Sequence, residues 1–366
     1  MIIGLDGNEA NVKNPVGSGQ YALSMLQEFA KYRNHHFIVY LKENPQEDLP
    51  KENSNFKYKV FGPKKLWTQF ALPLKLSFGQ KLDSFFTLGH YGPRFSRIPY
   101  SVTIFDLSYL HYPDLFNKND LYQLINWSKY SVQKAKHIFA ISNSTKDDII
   151  KHYKIDPTKI SVTYMGYNQE TFKPQSKASI DKAKTKYKIK GDYVIFVGTL
   201  QPRKNIERLI EAFAQVRKTV DNLSLVIVGK KGWLYESIFQ KVKDLNLIQG
   251  VIFTNYVPEE DLHSLISGSK LYVLPSLYEG FGIPVIEAQA CGVPVVVSGT
   301  SSLPEVVGDS GILIDPQSVD SIAVAIKNIL SDEKLSKDLV AKGFENIKRF
   351  SWQKCAQETI KILQDL

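Results

Sequence analysis

The sequence predicts an α/β protein of two doubly wound, Rossmann-like domains, each built on a parallel sheet. Short apolar runs rich in β-branched residues alternate with stretches of helical periodicity along most of the chain, which is typical of βαβ units. The chain has 366 residues, a length that favours two domains. Its residues are 43% hydrophobic and 12% aromatic, which is enough apolar material for two ordinary cores.

Apolar runs with the length and composition of strands occur in both halves of the chain. Those of the first half cover residues 2–5, 36–41, 57–61, 84–88, 100–105, 137–142 and 160–164. Those of the second half cover residues 193–198, 224–229, 251–254, 271–274, 294–298 and 311–314. Five apolar residues at helical spacing predict an amphipathic helix after the first of these: Ile206, Leu209, Ile210, Phe213 and Val216. The Lys- and Ser-rich segment 164–190 divides the halves, so we expect domains at 1–168 and 169–350.

The net charge of +9 at pH 7 suits a phosphorylated ligand, a nucleic acid or an anionic membrane surface. The basic residues are scattered over predicted helix surfaces rather than grouped with aromatic residues, so we expect no nucleic acid partner. Two cysteines, Cys291 and Cys355, are too few for a disulfide framework. The sequence opens on a strand and has no apolar run near the ~18 residues of a membrane helix. We therefore expect a cytoplasmic protein, in which any membrane contact is peripheral and at the inner face.

The most informative segment is the turn that follows the predicted strand 271–274. It reads Glu-Gly-Phe-Gly-Ile-Pro-Val-Ile-Glu from Glu279 to Glu287. Pro284 has the fixed φ and the dispensable N–H that suit the start of a helix. The turn therefore lies at the carboxyl end of a buried strand, where parallel sheets bind ligands, and its two glycines expose backbone N–H groups. Taken singly, each residue is better explained by helix capping and the helix dipole than by ligand binding.

A second segment, from Gly198 to Asn205, reads Gly-Thr-Leu-Gln-Pro-Arg-Lys-Asn and precedes the predicted amphipathic helix. It places Arg203 and Lys204 at the start of that helix, where cations oppose the positive end of the dipole at a cost of about 0.3–1 kcal/mol each. We therefore expect a negative group to compensate them. Preplaced cations also stabilise the charge that develops on a leaving diphosphate.

Together the two segments are similar to the signatures of the retaining family-4 glycosyltransferases. The first matches the pattern Glu-Gly-Phe-Gly-x-Pro-x-x-Glu-Ala at every fixed position through Ala288, and the second matches Gly-x-x-x-x-Arg-Lys-Asn. The resemblance implies the GT-B fold, in which two Rossmann-like domains face a cleft and the last helix, here 351–366, returns to the first domain. It also implies that domain 1–168 binds the acceptor and domain 169–350 binds a nucleotide-sugar donor.

The resemblance gives Arg203 and Lys204 the task of holding the donor diphosphate, next to the backbone of Gly198. These cations would then do the work for which other glycosyltransferases use a divalent metal. The sequence contains no Asp-x-Asp and no His, Cys or carboxylate spacing typical of a metal cage. We therefore expect no metal and no cofactor, and activity that withstands EDTA.

The same resemblance has Glu279 and the backbone of Gly280, Phe281 and Gly282 hold the sugar hydroxyls of the donor. Glu287 would accept hydrogen bonds from the ribose hydroxyls, a task that suits an ionised carboxylate. The alternative is a glycosidase-like pair in which the two carboxyl groups act as acid and nucleophile. We reject it, because the family analogy assigns neither role and favours attack from the face of the leaving phosphate.

In the first domain, Gly17 and Gly19 lie in the sequence Gly-Ser-Gly-Gln-Tyr-Ala, which formally matches a dinucleotide-binding fingerprint. That fingerprint requires a tight turn directly after the strand, whereas about ten residues precede Gly17 here, so we reject an NAD-dependent oxidoreductase. The segment resembles the glycine loop of the family, in which the two glycines would let the backbone approach the diphosphate or the acceptor. A flexible surface loop is the alternative.

Members of the family carry His-Asp after the strand that corresponds to 100–105, whereas this chain has Phe105 followed by Asp106. We predict that Asp106 organises the acceptor or takes its proton, with capping of the following segment as the alternative. The missing His leaves three alternatives open: replacement by His90 or His111, a changed sugar preference, or weak activity.

Two further segments allow more than one interpretation. Residues 66–73 include Trp67 and Phe70 and are flanked by lysines, which is the composition of a membrane-surface patch. The family often has a Trp-x-Gln-x-x-x-Pro segment of this kind inside the first domain, so we favour core packing. Residues 140–146 resemble a strand-to-helix element of the family, with Asn143 or Ser144 as the predicted N-cap.

The whole sequence is most similar in character to bacterial mannosyltransferases of surface-polysaccharide assembly. We therefore predict transfer of a hexose, with GDP-mannose as the preferred donor, to a saccharide or lipid-linked saccharide acceptor. A UDP-sugar donor is one alternative. A catalytically silent protein that binds a nucleotide sugar is the other, because Phe105 stands in the His position.

Overall fold

The computed structural model describes residues 1–13, 15 and 17–366. The chain forms two compact units, of which unit 1 comprises Met1–Gly166 with Phe350–Leu366 and unit 2 comprises Tyr167–Arg349. Each unit contains one parallel sheet with helices between its strands. The predicted class of two doubly wound α/β domains is therefore confirmed.

Unit 1 is built on a seven-stranded parallel sheet. Its strands are β1 (Ile2–Asp6), β2 (His36–Leu41), β3 (Phe56–Val60), β4 (Ser84–Thr87), β5 (Tyr100–Ile104), β6 (His137–Ala140) and β7 (Ile160–Val162). The spatial order is β3-β2-β1-β4-β5-β6-β7, so the direction of winding reverses between β1 and β4. Every predicted strand of this half is present, with ends that differ by at most two residues. Strands β4, β5 and β6 are buried along their whole length, as strands of a parallel sheet with covered faces are.

The first five helices connect these strands. They are α1 (Ser18–Phe29), α2 (Leu72–Phe78), α3 (Ser108–His111), α4 (Lys118–Lys134) and α5 (Asn143–Tyr153), with a π-helical turn Trp67–Ala71 and 3-10 turns Pro113–Leu115 and Pro157–Lys159. The predicted N-cap of α5 is wrong by one residue or more. The cap is Ser142, whose hydroxyl accepts a hydrogen bond from the Thr145 backbone N–H at 3.1 Å. Ser142 satisfies the capping geometry because its backbone is extended, whereas Asn143 already lies within the helix.

Unit 2 is built on a six-stranded parallel sheet. Its strands are β8 (Asp192–Val197), β9 (Leu223–Val228), β10 (Val251–Asn255), β11 (Leu271–Leu274), β12 (Val295–Ser298) and β13 (Gly311–Ile314). All six agree with the predicted runs to within one residue. Their order is β10-β9-β8-β11-β12-β13, so the winding reverses between β8 and β11.

The helices of unit 2 cover its sheet on both faces. They are α6 (Lys177–Lys186), α7 (Ile206–Arg217), α8 (Glu236–Asp244), α9 (Glu259–Ser267), α10 (Ile283–Ala290), α11 (Leu303–Val307), α12 (Val319–Ser331) and α13 (Glu333–Asn346), with 3-10 turns Pro202–Lys204 and Ile347–Arg349. All five predicted apolar residues of α7 are buried, which confirms its predicted inner face.

The last helix, α14 (Trp352–Gln364), belongs to unit 1, where it packs against α1. Ser351 caps it by accepting a hydrogen bond from the Lys354 backbone N–H. Gly166 lies directly against the backbone of Ser351 and Trp352, which leaves no room for a side chain at position 166. The predicted return of the final helix to the first domain is thus what the structure has.

Candidate functional site

The two motifs of unit 2 follow neighbouring strands. The Gly198 segment leaves the carboxyl end of β8, and the Glu279 turn leaves the carboxyl end of β11. The reversal of winding between these strands sends their connections to opposite faces of the sheet, which opens a crevice at this edge. Residues about 75 positions apart in sequence therefore meet.

A compact group of three charged side chains lies at this edge. Lys204 Nζ is 2.5 Å from Glu279 Oε1, and Arg203 Nη1 is 3.3 Å from Glu279 Oε2. All three side chains are at least 86% buried, since their exposed fractions are 13% for Arg203, 14% for Lys204 and 8% for Glu279. The cations predicted to require a negative partner thus have one within the protein itself.

The charges around Glu279 determine its protonation state. Burial alone would raise the pKa of this carboxyl group, because a low-dielectric surrounding disfavours the charged form. Lys204 and Arg203 outweigh that effect and hold the pKa at about 2. Glu279 is therefore ionised at neutral pH, and the group of three carries one net positive charge.

Local backbone geometry aims the two cations at Glu279. The 3-10 turn Pro202–Lys204 ends at Asn205, which has a left-handed backbone with φ of 57° and begins α7. The Asn205 side-chain amide donates to the backbone oxygens of Pro275 at 2.9 Å and Pro316 at 2.6 Å. The Arg203 guanidinium also donates to the backbone oxygen of Tyr278. Asn205 thus ties the Arg-Lys turn to the strand that leads to Glu279.

Position 282 in the Glu279 turn requires glycine for steric reasons. Gly282 precedes α10 with φ of 101°, a conformation that residues with a side chain rarely adopt. A Cβ atom there would also come within 2.8 Å of Leu303 Cδ2. Phe281 is buried, and its backbone oxygen accepts a hydrogen bond from the Ser302 hydroxyl at 3.2 Å. The Ser302 hydrogen bond therefore anchors the turn, and the backbone conformation of the turn depends on glycine at position 282.

Two serines that the sequence pattern did not predict support this turn. Ser301 Oγ accepts from the Glu279 backbone N–H at 2.9 Å, and Ser302 Oγ donates to the Glu279 backbone oxygen at 2.9 Å. They lie just before α11, more than twenty positions away in sequence. Only the strand order could reveal that contact, because Ser pairs before helices are common.

Glu287 lies on the first turns of α10, in a different electrostatic setting. Its side chain is partly buried, and among the residues described in the structure no hydrogen bond or ion pair reaches its carboxyl group. Burial, with a smaller contribution from the negative charge of Glu259, raises its pKa to about 8. A buried carboxyl group to which no described residue donates a hydrogen bond is suited to a ligand that supplies hydroxyl groups.

Gly198 completes the unit 2 group. A Cβ atom at this position would lie 3.6 Å from Lys204 Cε, so its backbone passes beside the cations. The structure therefore places Gly198, Arg203, Lys204 and Glu279 together. Gly280, Phe281, Gly282 and Glu287 follow at the same edge of the sheet.

The remaining predicted site residues, Gly17, Gly19 and Asp106, belong to unit 1. Gly17 precedes α1 with φ of 57°, and a Cβ atom on Gly19 would come within 2.9 Å of the Glu9 backbone oxygen. The loop from β1 to α1 is long, as predicted, since β1 ends at Asp6.

A cavity of about 410 Å³ lies at the reversal point of the unit 1 sheet. Its lining includes Asp6 at the end of β1, Thr87 at the end of β4, and Gly19, together with Glu9 and Lys42. Burial raises the pKa of Asp6 to about 6, even though Asn8 donates hydrogen bonds to it. The sequence did not mark Asp6 as a site residue, although its place at the end of the first strand was the available signal.

Asp106 caps the segment that follows it. Its Oδ1 accepts hydrogen bonds from the backbone N–H of Ser108 at 2.9 Å and from the Ser108 hydroxyl at 2.6 Å. Phe105 is buried, and the His90 ring packs against it with centroids 5.2 Å apart. His90 Nδ1 is buried, and no residue that the structure describes gives it a hydrogen-bond partner. Burial lowers the pKa of His90, although the nearby charges of Asp106 and Glu9 act in the opposite direction.

The second histidine considered for this position, His111, lies in another group. Its Nε2 is 2.8 Å from Asp148 Oδ2, and His152 Nε2 is 4.0 Å from Asp148 Oδ1. These three groups could hold a metal ion, since their ligand atoms lie within 4.8 Å of one another. The sequence spacing did not predict this group, because His111 comes from a separate short helix.

Within the part of the chain that the structure describes, no helix combines the length and the hydropathy needed to cross a bilayer.

Two family profiles match most of the chain. Residues 16–171 match the profile described as Glycosyltransferase Family 4, and residues 178–346 match the profile described as Glycosyl transferases group 1. The boundary between the two matches falls close to the boundary between units 1 and 2.

Curated relatives point in the same direction. O-antigen chain mannosyltransferase B of Escherichia coli is 34% identical over 277 residues, which is 74% of this chain and 72% of the relative. O-antigen chain mannosyltransferase RfbU of Salmonella typhimurium is 33% identical over 229 residues, which is 63% of this chain and 60% of the relative.

Solved structures share the fold over the whole chain. Sucrose-phosphate synthase from Thermosynechococcus elongatus superimposes with a TM-score of 0.80 at 20% identity, covering 100% of this chain and 98% of that one. Anabaena HepE in complex with UDP and glucose superimposes with a TM-score of 0.78 at 20% identity, covering 100% and 99%. The predicted GT-B fold class is confirmed by these neighbours.

Proposed function

This chain belongs to the family-4 glycosyltransferases, and we propose that it transfers mannose from GDP-mannose to a saccharide or lipid-linked saccharide, with retention of anomeric configuration. One observation supports this proposal above the others. A buried, net positive group of Arg203, Lys204 and Glu279 lies at the winding reversal of the unit 2 sheet, beside the start of α10. Such a group is suited to a diphosphate bonded to a hydroxyl-rich sugar.

The cations would bind the diphosphate and stabilise its leaving. Breaking the bond between the sugar C1 and the phosphate oxygen transfers negative charge to the diphosphate, and preplaced cations in a dry site lower that barrier. Lys204 and Arg203 are held before the donor arrives, by Glu279 and by the Tyr278 backbone oxygen, so little reorganisation is required.

The two carboxylates would hold the two ends of the donor. Glu279 shares its charge with the cations and can accept hydrogen bonds from the hexose hydroxyls. No donor within the described part of the protein reaches Glu287, whose pKa burial raises. Ribose hydroxyls would supply hydrogen bonds to its carboxyl group. Binding would then favour the ionised form of Glu287.

In the transfer step the acceptor hydroxyl attacks C1 from the side of the departing diphosphate. The new C–O bond forms as the old one breaks, and the hydroxyl proton passes to the leaving phosphate oxygen. This route needs no covalent adduct on Glu279 or Glu287. Isolation of such an adduct would contradict it.

The acceptor would bind unit 1 at the cavity that contains Asp6 and Gly19. The names of the O-antigen relatives support a saccharide acceptor. Polar groups that converge on this cavity, among them Glu9, Lys42 and Thr87, are suited to sugar hydroxyls.

His90 would substitute for the histidine that the family carries at the position of Phe105. Its ring packs on Phe105, and its buried Nδ1 has no hydrogen-bond partner among the residues described in the structure. His111 is engaged by Asp148 and is the weaker substitute.

A donor panel tests the proposal. The full chain is incubated with GDP-mannose, UDP-glucose, UDP-galactose and ADP-glucose, and release of the nucleoside diphosphate is measured with and without a mannose-containing oligosaccharide. We expect GDP release from GDP-mannose that increases with the acceptor, and an α-linked product by NMR. Turnover of a UDP-sugar alone would establish the alternative donor, for which HepE, solved with UDP and glucose, is a precedent among the structural neighbours.

The same assay tests the expectation that no metal is needed. We propose that turnover persists in EDTA, because Arg203 and Lys204 supply the positive charge at the diphosphate. Loss of turnover in EDTA, with recovery on addition of Mg²⁺ or Mn²⁺, would contradict this.

A further inference from the structure

One helical segment of unit 1 exposes a continuous row of large apolar side chains. Leu66, Phe70, Leu74 and Phe78 follow one another at intervals of four residues along the π-helical turn and α2. Their exposed fractions are 48%, 58%, 60% and 80%. We call these four residues the exposed row.

The opposite side of the same segment packs into the unit 1 core. Trp67, Ala71, Leu72 and Leu76 are buried, and Trp67 Nε1 donates to the Phe61 backbone oxygen at 3.0 Å. The predicted core packing of residues 66–73 is thus correct for Trp67 and wrong for Phe70. Stabilising the fold accounts for the buried side alone, so the exposed row requires another explanation.

The segment that contains the exposed row is rich in lysine. Between residues 53 and 82 the sequence contains six lysines and no Asp or Glu. They are Lys57, Lys59, Lys64, Lys65, Lys75 and Lys81, and most of them are exposed. Lys64 has an exposed ion pair with Glu43, and Lys57 has one with Glu52. No ion pair joins Lys65 or Lys81 to any residue that the structure describes.

Apolar side chains that alternate with lysines suit an anionic lipid surface. Phe and Leu side chains can enter the boundary between headgroups and acyl chains, while lysines bind the lipid phosphates and keep their ammonium groups in water. Each lysine near such a surface adds to the attraction. A protein partner or a second copy would need matching acidic groups, and a second copy would bring the same lysines together.

We propose that the exposed row and its lysines bind the anionic surface of a phospholipid bilayer. The row lies along the π-helical turn and α2. The side of this segment would therefore lie on the lipid surface, and no helix would need to cross the membrane. The inference is independent of the donor proposed above, because no residue of unit 2 takes part in it.

Vesicle co-sedimentation of the full chain tests this proposal. One set of vesicles contains about one-third phosphatidylglycerol and the other contains phosphatidylcholine alone. We expect sedimentation with the anionic vesicles only, and binding that weakens as salt is raised, because screening reduces the attraction. Equal binding to both kinds of vesicle, or binding to neither, would overturn the proposal.

Substitutions separate the two contributions. The variant Phe70→Ser, Leu74→Ser, Phe78→Ser removes the exposed apolar groups, and Lys64→Gln, Lys65→Gln, Lys81→Gln removes charge. We expect each to weaken binding to anionic vesicles by at least about tenfold. Because all six side chains are exposed, thermal unfolding and donor hydrolysis should stay at wild-type values.

A matched control changes exposed apolar residues elsewhere. Leu234→Ser, Ile248→Ser, Val324→Ser alters side chains in unit 2 that are 56%, 64% and 54% exposed. It should bind vesicles as the wild type does, and equal loss in this control would overturn the assignment to the exposed row. Light scattering after gel filtration measures the oligomeric state. If the wild type is an oligomer and the Phe70→Ser, Leu74→Ser, Phe78→Ser variant is a monomer, the exposed row is a protein interface and the proposal is wrong.

Discussion

Glu279 remains ionised in a buried setting because two cations meet it from a neighbouring loop. Lys204 and Arg203 hold its pKa at about 2, below the ordinary value of a carboxyl group. The stability that this arrangement contributes is fully present above the unfolded pKa near 4.5 and is lost as the pH falls through about 2. The group therefore serves both the folded state and the proposed chemistry.

Replacing Lys204 should separate these two contributions. Lys204→Met is expected to lower turnover by about 10²–10³-fold, because a cation at the leaving diphosphate is lost. It should also destabilise the protein at pH 7 by about 1–3 kcal/mol, since Glu279 keeps a single cation. Urea unfolding should show this difference narrowing between pH 7 and pH 3. The exposed Lys243→Met is the control, and an equal effect of both variants would contradict the assignment.

The pKa of Glu287 is shifted in the opposite direction from that of Glu279. Its pKa is raised to about 8, so the folded protein binds this proton more tightly than the unfolded chain does, and stability is lost as the pH rises from about 4.5 through about 8. Glu287→Gln should therefore be more stable than the wild type at pH 8.5, by at least about 1 kcal/mol, the equivalent of one pKa unit. The two proteins should coincide near pH 4.

The same variant should lose nucleoside affinity, because it lacks the carboxylate that we propose accepts hydrogen bonds from the ribose hydroxyls. Thermal unfolding at both pH values and calorimetric titration with GDP measure the two effects. A Glu287→Gln variant that is no more stable at pH 8.5, or that binds GDP as tightly as the wild type, would show that the carboxyl group is not an unsatisfied ligand-binding acceptor.

His90 is the third residue whose role can be measured. His90→Ala is expected to lower kcat by about 10²-fold with little change in KM for the donor, if the imidazole acts at the transferred sugar. His111→Ala should retain wild-type kcat, because His111 pairs with Asp148. Steady-state kinetics of both variants measure this difference. A loss of kcat in His111→Ala but not in His90→Ala would assign the role to His111 instead.

At the scale of elements, the turn between β11 and α10 is the segment on which the site depends. Gly282→Ala is expected to destabilise the protein by about 1–3 kcal/mol, because φ of 101° is unfavourable and the added methyl group meets Leu303. Gly308→Ala is the matched control, since Gly308 has φ of 55° but open space around it. Urea unfolding should give Gly282→Ala a clearly lower free energy of unfolding than Gly308→Ala. Equal losses would mean that the Leu303 contact relaxes without cost.

The strands and helices were predictable because their sequences are locally consistent. Buried parallel strands require continuous apolar runs, and α7 requires apolar residues at helical spacing, so periodicity was sufficient for both. Helix ends were less predictable, as Ser142 shows: Ser and Asn in succession offer several caps, and the backbone conformation selects one.

The candidate site was predictable in its members but not in its contacts. Arg203, Lys204, Glu279 and Glu287 follow from two short motifs. Their pairing in the absence of a ligand depends on β8 lying beside β11, which no local pattern specifies. The sequence also did not decide whether Phe70 is exposed, because a helix that is apolar on both sides has the composition of a core helix.

At the scale of the whole molecule, each unit places its candidate binding residues where the winding of its sheet reverses. In unit 1 this point lies between β1 and β4 and holds the cavity beside Asp6, and in unit 2 it lies between β8 and β11 and holds the Glu279 group. Parallel sheets bind ligands at such points whatever their chemistry, so the fold supplies the location and the side chains supply the function.

The most direct test of the central claim compares GDP with GMP, which lacks the second phosphate. If Arg203 and Lys204 hold the diphosphate, calorimetric titration should show the wild type binding GDP at least about tenfold more tightly than GMP, a difference of about 1.4 kcal/mol. The double variant Arg203→Ala, Lys204→Ala should bind the two nucleotides with nearly equal affinity while keeping its affinity for GMP. A GDP preference that is the same in both proteins would contradict the account.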